Sequence, residues 1–375
     1  MKKSRTQKLK KLSKKIGLPP GSLVYIGNKE VTQTTKPKIS KMVYTADTLE
    51  ECVLTEEELG AFKPDPNKKL WLNIHGVHDI NLIKKIGEHF NLHPLVLEDI
   101  LNTEQRPKVD EFDDYLFLET RHFHYEAESM SASSEQISMV LGEYFLLTFQ
   151  ERSTGAFEPV RERLRASKAQ VRALGVDYLA YSLLDSVVDR YFSVLEGVSE
   201  ASENLEQQIL SRPTNSDLQS IHQLKHVSIE LRRAVWPLRE VLNVLIRNEK
   251  GLFKPATLPY LRDVYDHTIS FIESLESIRD SLVGMMDIYM ASMSQRVNLE
   301  LRALTVVTML FMPATLITGV FGMNFDYMPW LKHHDGFWWA MGLMFSIATL
   351  MLLIFWRRQW VNKSIFSVDE DNNGN

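Results

Sequence analysis

Cysteine is almost missing: Cys52 is the single one in 375 residues. A lone thiol cannot pair within its own chain, which excludes a disulfide framework and a Cys-rich zinc site and points to a reducing compartment. Catalytic signatures are missing as well. There is no phosphate-cradling glycine loop of the Walker type, no HExxH and no GxSxG, so the chain reads as neither an ATP-driven pump nor an enzyme. His122-x-His124 and His333-His334-Asp335 offer too few ligands for a tetrahedral metal site and read as solvated histidines. No export signal is expected either. The first residues are basic, but IGLPPGSLVYIG follows, without a long apolar run and with a Pro-Pro break.

Charge is unevenly placed. Residues 1–15 hold eight Lys/Arg and no acid; removing those eight charges from the net −5 leaves −13 over the rest. No aromatic residues are interleaved with this basic stretch and the remainder is acidic, so no nucleic-acid partner is expected. A solvated tail resting on anionic lipid is the plain reading.

The apolar residues are equally uneven, although the mean hydropathy of −0.18 is that of a soluble protein. Ala303–Phe321 and Phe337–Trp356 are free of charge over 19 and 20 residues. Each suits the roughly 20 helical residues that cross a bilayer core of about 30 Å. Arg296 and Arg302 precede the first span, Arg357, Arg358 and Lys363 follow the second, and the link holds only Lys332. By the positive-inside rule both termini are cytoplasmic, in a multi-pass protein of the cell (inner or plasma) membrane.

The chain reads as a basic tail (1–20), a cytoplasmic α/β domain (21–170) and an antiparallel helical hairpin (171–250). A stalk (251–302) leads into a first transmembrane helix (303–321), an outer loop (322–336), a second transmembrane helix (337–356) and a cytoplasmic tail (357–375). Strand-like runs stand at 22–27, 69–76, 115–125, 136–142 and 144–150, and helical ones at 80–90 and 93–101. A break at 211–215 separates two long helices. Asp185, Asp189, Glu196, Glu200, Glu203 and Glu206 recur along the first of them as a solvated acidic face or a cation-attracting one. From Pro259 no strong breaker occurs before Pro313, so one helix of about 60 residues, or ~95 Å, is expected.

The two spans differ. The second is apolar nearly all round, with Trp338, Trp339, Trp356 and Trp360 as interfacial anchors. The first carries a polar or small stripe at helical spacing: Asn298, Leu301, Thr305, Thr308, Met312, Thr315 and Gly319. Helix-to-helix packing would use such residues too, but the stripe continues as Asn298 beyond the span, which favours a pore lining. Two helices cannot enclose a pore, so several copies around an axis are needed. The conduit would be polar and uncharged, suited to an ion that keeps its water, as Mg²⁺ does.

After the first span the sequence reads Gly322-Met323-Asn324, then Phe325-Asp326-Tyr327-Met328-Pro329. Here it resembles the CorA family of magnesium channels, whose signature is Gly-Met-Asn in this place. The resemblance extends through PYLRDVYDHT (259–268), FMPAT (311–315), HPLVLEDILN (93–102), QRPKV (105–109) and WPLREVL (236–242). It implies a funnel-shaped homopentamer, with an α/β cytoplasmic domain, long stalk helices and a C-terminal two-helix transmembrane hairpin. It implies Mg²⁺ influx driven by the membrane potential and closed by cytoplasmic Mg²⁺, with Co²⁺ or Ni²⁺ accepted by some members. By the same resemblance Gly322, Met323 and Asn324 form the selectivity filter, and Asp326, where relatives often have Glu, is the entrance acid. Asn298, Leu304, Thr308, Met312 and Thr315 line the pore, with Leu304 and Met312 as hydrophobic constrictions. Asp99 and Asp263 form a regulatory Mg²⁺ pair between subunits, and Asp287 adds an acidic ring. Two alternatives stay open at this point: a transporter mainly of Co²⁺ or Ni²⁺, and a membrane-anchored sensor or scaffold without ion flux.

Overall fold

A computed structural model describes residues 17–27, 36–166, 170–211, 213–324, 326, 328 and 333–358. The expectations for the basic tail before residue 17 and for Lys332, Trp360 and Lys363 lie outside the described residues. The chain divides into two compact units, Met1–Gln208 with Thr214–Met285, and Ile209–Pro213 with Met286–Asn375.

The first unit is built on a seven-stranded sheet. Its strands are β1 (Lys38–Tyr44), β2 (Leu49–Leu54), β3 (Lys69–His75), β4 (Lys108–Glu111), β5 (Tyr115–Glu126), β6 (Ser131–Gly142) and β7 (Phe145–Gln150). They lie in the order β2-β1-β3-β7-β6-β5-β4. All neighbours are antiparallel except β3 and β7. The two-residue connection from β6 to β7 is the tight hairpin expected at Gly142-Glu143. Residues 22–27 do not form the expected strand: they make only a bridge from Ile26 to Asn102. Gly21 precedes this run and Gly27 ends it, and a Cβ on Gly27 would collide with the Tyr25 ring, so the backbone here is shaped by close approach rather than pairing.

Three short helices follow local capping chemistry. In α1 (Glu56–Ala61), Thr55 and Glu58 form a reciprocal capping box. In α2 (Ile80–His89), Asp79 accepts the amides of Asn81 and Leu82. In α3 (Pro94–Ile100), Pro94 opens the first turn, where its missing N–H costs nothing. The apolar faces of α2 (Leu82, Ile83, Ile86) and α3 (Val96, Leu97, Ile100) pack on Leu70, Leu72, Ile74, Phe117, Val140 and Leu147 of the sheet. Full burial of such a side chain is worth about 2 kcal/mol, so this layer fixes α3, and with it Asp99, against the strands.

Helices α4 (Glu158–Arg165), α5 (Gln170–Ala173), α6 (Val176–Ser211) and α7 (Asn215–Arg247) come next. Thr214 and Asp217 cap α7, and Asn248 ends it in the left-handed region (φ 52°), a conformation Asn tolerates better than most residues. Asp177, buried at the start of α6, accepts from the Lys254 amide at 3.0 Å and the Thr257 hydroxyl at 2.5 Å. That contact fixes the entry to α8 (Leu258–Phe321), a single 64-residue helix. Within this unit α8 buries Leu261, Val264, Phe271, Leu275 and Leu282.

In the second unit the same helix changes character. Its apolar side chains become exposed, Leu304 by 64%, Met312 by 62% and Leu316 by 68%. The last helix, α9 (Gly336–Arg357), likewise exposes Trp338, Trp339 and Trp356. Both helices are long and apolar enough to cross a membrane, and their apolar windows are unburied. Exposed apolar surface on this scale needs lipid or protein against it.

Candidate ion pathway and metal-binding carboxylates

Asn298, Leu301, Thr305, Thr308, Met312, Thr315 and Gly319 fall on one stripe of α8, which stays helical through Pro313. The threonine hydroxyls are already committed as donors. Thr305 donates to the Leu301 carbonyl at 2.7 Å, Thr308 to Leu304 at 2.8 Å, and Thr315 to Phe311 at 3.0 Å. A hydroxyl has one hydrogen, so only acceptor lone pairs remain to face outward. Such a surface accepts hydrogen bonds from the water shell of a cation. No fixed charge between Ala303 and Phe321 would hold the ion there.

Beyond Phe321 the helix unwinds in one turn. The Gly322 amide donates to the Thr318 carbonyl at 2.9 Å and the Met323 amide to Val320 at 3.3 Å. A Cβ on Gly322 would stand 3.0 Å from the Thr318 oxygen, closer than side chains normally sit, so glycine suits this exit. Met323, Asn324 and Asp326 are exposed.

The regulatory candidates are not alike. Asp287 and Asp263 are exposed on α8. Asp263 lies 3.9 Å from His267 Nε2, one turn on. It also adds to the field around Asp185 of α6, whose carboxyl is pushed above the ordinary range by burial first and then by Asp189; Arg163 and His267 pull the other way. Asp99 is half-sequestered and fully engaged. Its Oδ2 accepts from Lys108 Nζ at 2.7 Å and its Oδ1 from Gln105 Nε2 at 2.6 Å. Asp99 is thus already paired with a lysine of its own chain. Behind it, Gln136 Nε2 bridges the Asp99 carbonyl (3.2 Å) and Glu119 Oε1 (3.0 Å). Burial, with Asp99 adding to it, pushes Glu119 up to about 9.

Among the described residues Asp99 and Asp263 share no hydrogen-bond or ion-pair partner within one chain. Among the described residues no three His, Cys, Asp or Glu side chains are gathered as a metal site. The donors are nonetheless of the right kind, since carboxylate and amide oxygens are hard ligands that suit Mg²⁺.

A sequence model described as CorA-like Mg2+ transporter protein matches residues 67–358. The chain is 41% identical over 352 residues to the cobalt/magnesium transport protein CorA of Thermotoga maritima, covering 94% of this chain and 99% of that one. The chain belongs to the CorA family. It is 27% identical over 310 residues to the magnesium transport protein CorA of Haemophilus ducreyi, covering 79% of this chain and 93% of that protein. Its fold is that of the complete structure of the CorA magnesium transporter from Methanocaldococcus jannaschii. That match has a TM-score of 0.74 at 23% identity and covers 86% of this chain and 98% of the other.

In this CorA chain the residues that sequence reasoning passed over are those that hold Asp99. Gln105 and Lys108 stand within QRPKV, where nothing in the local sequence marks them as partners of Asp99. Only the pairing of β4 with β5, and the packing of α3 beside them, brings Lys108 to Asp99. His267, by contrast, is legible in the sequence as the i+4 neighbour of Asp263.

Proposed function

We propose that this protein is a channel-type transporter that carries Mg²⁺ inward as a homopentamer, both termini cytoplasmic, with Co²⁺ or Ni²⁺ as further cargo. The observation that carries the reading is the similarity to a cobalt/magnesium transport protein over 94% of this chain, together with a family match over residues 67–358 that takes in both apolar helices and the segment between them. Five copies of α8 turn each acceptor of the stripe into a ring around a hydrated ion. Asn324 binds that ion through its waters, with Asp326 drawing cations to the entrance. Leu304 and Met312 form dry constrictions that block ions without a moving plug, and Asn298 forms the inner polar ring. A divalent ion gains ~4.6 kcal/mol in moving inward through 100 mV, so the membrane potential suffices as the driving force.

Closure follows from mass action. Asp99 of one subunit and Asp263 of the next bind cytoplasmic Mg²⁺ in the closed assembly, which that binding stabilises; Asp287 adds a carboxylate ring closer to the pore. The deciding experiment is Mg²⁺ flux into liposomes holding purified protein, with and without an inside-negative potential. Flux that grows with the potential is expected. Its absence would leave a membrane-anchored sensor.

A further inference from the structure

We propose that Lys108 is a tethered counter-ion of the regulatory site: its ammonium, held by Asp110, fills the cation position at Asp99, and a divalent ion must displace it from Asp99 to bind. Lys108 thereby sets the Mg²⁺ concentration at which the channel closes. The inference rests on the regulatory reading of Asp99 given above and extends it to residues of the same chain.

The geometry is that of a cation site already filled. Lys108 Nζ lies 2.7 Å from Asp99 Oδ2 and 2.6 Å from Asp110 Oδ2. Both carboxylates touch one nitrogen, so their oxygens already stand around a single point of positive charge. Gln105 holds the other Asp99 oxygen, which orients the carboxylate toward that point. The ammonium also lies 5.5 Å from the centre of the Phe117 ring, so the aromatic face adds to its hold. Asp99 is only 17% exposed and Lys108 only 32%, which sets the pair apart from the solvent-screened bridges of the surface.

A lysine suits this task better than an arginine fixed in a bidentate clasp. Its ammonium is a compact charge on a flexible stem, and it can let go of Asp99 while keeping Asp110. An incoming Mg²⁺ brings two charges where the lysine supplied one, together with a water shell from which Asp99 and the next subunit's Asp263 can accept. Binding therefore costs the Lys108–Asp99 contact, and that cost places the midpoint of closure at higher Mg²⁺ than two free carboxylates would give.

The test uses the full-length purified protein and Mg²⁺ alone as probe. Midpoints are read from protease protection across a Mg²⁺ titration and from calorimetric binding. Lys108→Met should lower both midpoints about tenfold, the effect of removing one adjacent charge worth ~1.4 kcal/mol. Lys108→Arg, which keeps the charge, should stay within about threefold of wild type. If the methionine variant folds poorly, Lys108→Gln serves, since it keeps a donor and loses the charge. Asp99→Asn tests the underlying reading, and midpoints unmoved by it would overturn that reading and this one together. Midpoints that Asp99→Asn moves but that Lys108→Met and Lys108→Gln leave in place, or raise, would overturn the counter-ion role alone.

Discussion

Thr315 donates its hydroxyl hydrogen to the Phe311 carbonyl one turn earlier, at 3.0 Å. The bond satisfies the hydroxyl within its own helix and leaves its lone pairs as the outward face. Thr315→Val keeps the shape and removes those lone pairs. Mg²⁺ flux in liposomes should fall about tenfold, a loss of ~1.4 kcal/mol at the barrier, while Thr315→Ser retains most of it. Equal flux from the valine and serine variants would show that this ring does not meet the ion's water.

Asn324 stands two residues beyond the close approach of Gly322 to the Thr318 carbonyl. Asn324→Ala should abolish selective Mg²⁺ uptake and leave the oligomer intact, as read by flux and by size-exclusion with light scattering. Normal uptake by this variant would remove Asn324 from the filter.

Leu304 and Met312 project from α8 without burial in the chain itself. Replacing either by Ser or Ala should raise the leak of the closed channel at high internal Mg²⁺, because a wider or wetter constriction no longer dewets. Conductance measured across a planar bilayer checks it, and unchanged closed-state conductance in both variants would place the gate elsewhere.

Asp263 is exposed and its ion-pair partner is a histidine 3.9 Å away. Asp263→Ala should shift current inhibition to higher internal Mg²⁺ and make the protein more protease-sensitive at millimolar Mg²⁺. Superimposable inhibition curves for variant and wild type would rule it out as a sensor.

Two buried groups on the sheet give opposite pH slopes. Burial raises Glu119 from its ordinary 4.5 to about 9, so the folded state binds the extra proton, and stability falls as pH rises from about 4.5 toward 9. Burial lowers His122 from 6.5 to about 4, with Arg190 helping, so stability is lost as pH falls from about 6.5 toward 4. Glu119→Gln should flatten the alkaline slope, and His122→Asn the acid one, in denaturant melts between pH 5 and 9. A Gln variant whose stability still falls across that range would place the alkaline titration in another group.

The edges of the sheet show why part of the fold was hard to read. Strands β2 and β4 are the outermost. Their sequences, LEECVL and KVDE, carry the charges that blunt an edge, and that charge hides the apolar alternation that marks a strand. The inner strands β3 and β7 are nearly all buried, β5 and β6 are buried over most of their length, and all four announce themselves by apolar run and β-branched content. Residues 22–27 have the same composition and yet make one bridge, because pairing needs a neighbour that the run itself does not supply.

From sequence alone, the two charge-free stretches, a single long helix running from about Pro259 into the first span, its threonine stripe and the place of Gly322-Met323-Asn324 could be determined. These depend on run length and on a period of three to four residues, and both are local properties of the chain. What holds Asp99 was decided only by the tertiary structure. Lys108, Gln105 and Gln136 reach it from β4, its approach loop and β6. Those contacts exist because α3 is pressed onto the sheet by apolar burial, and burial is indifferent to which polar side chains it brings together.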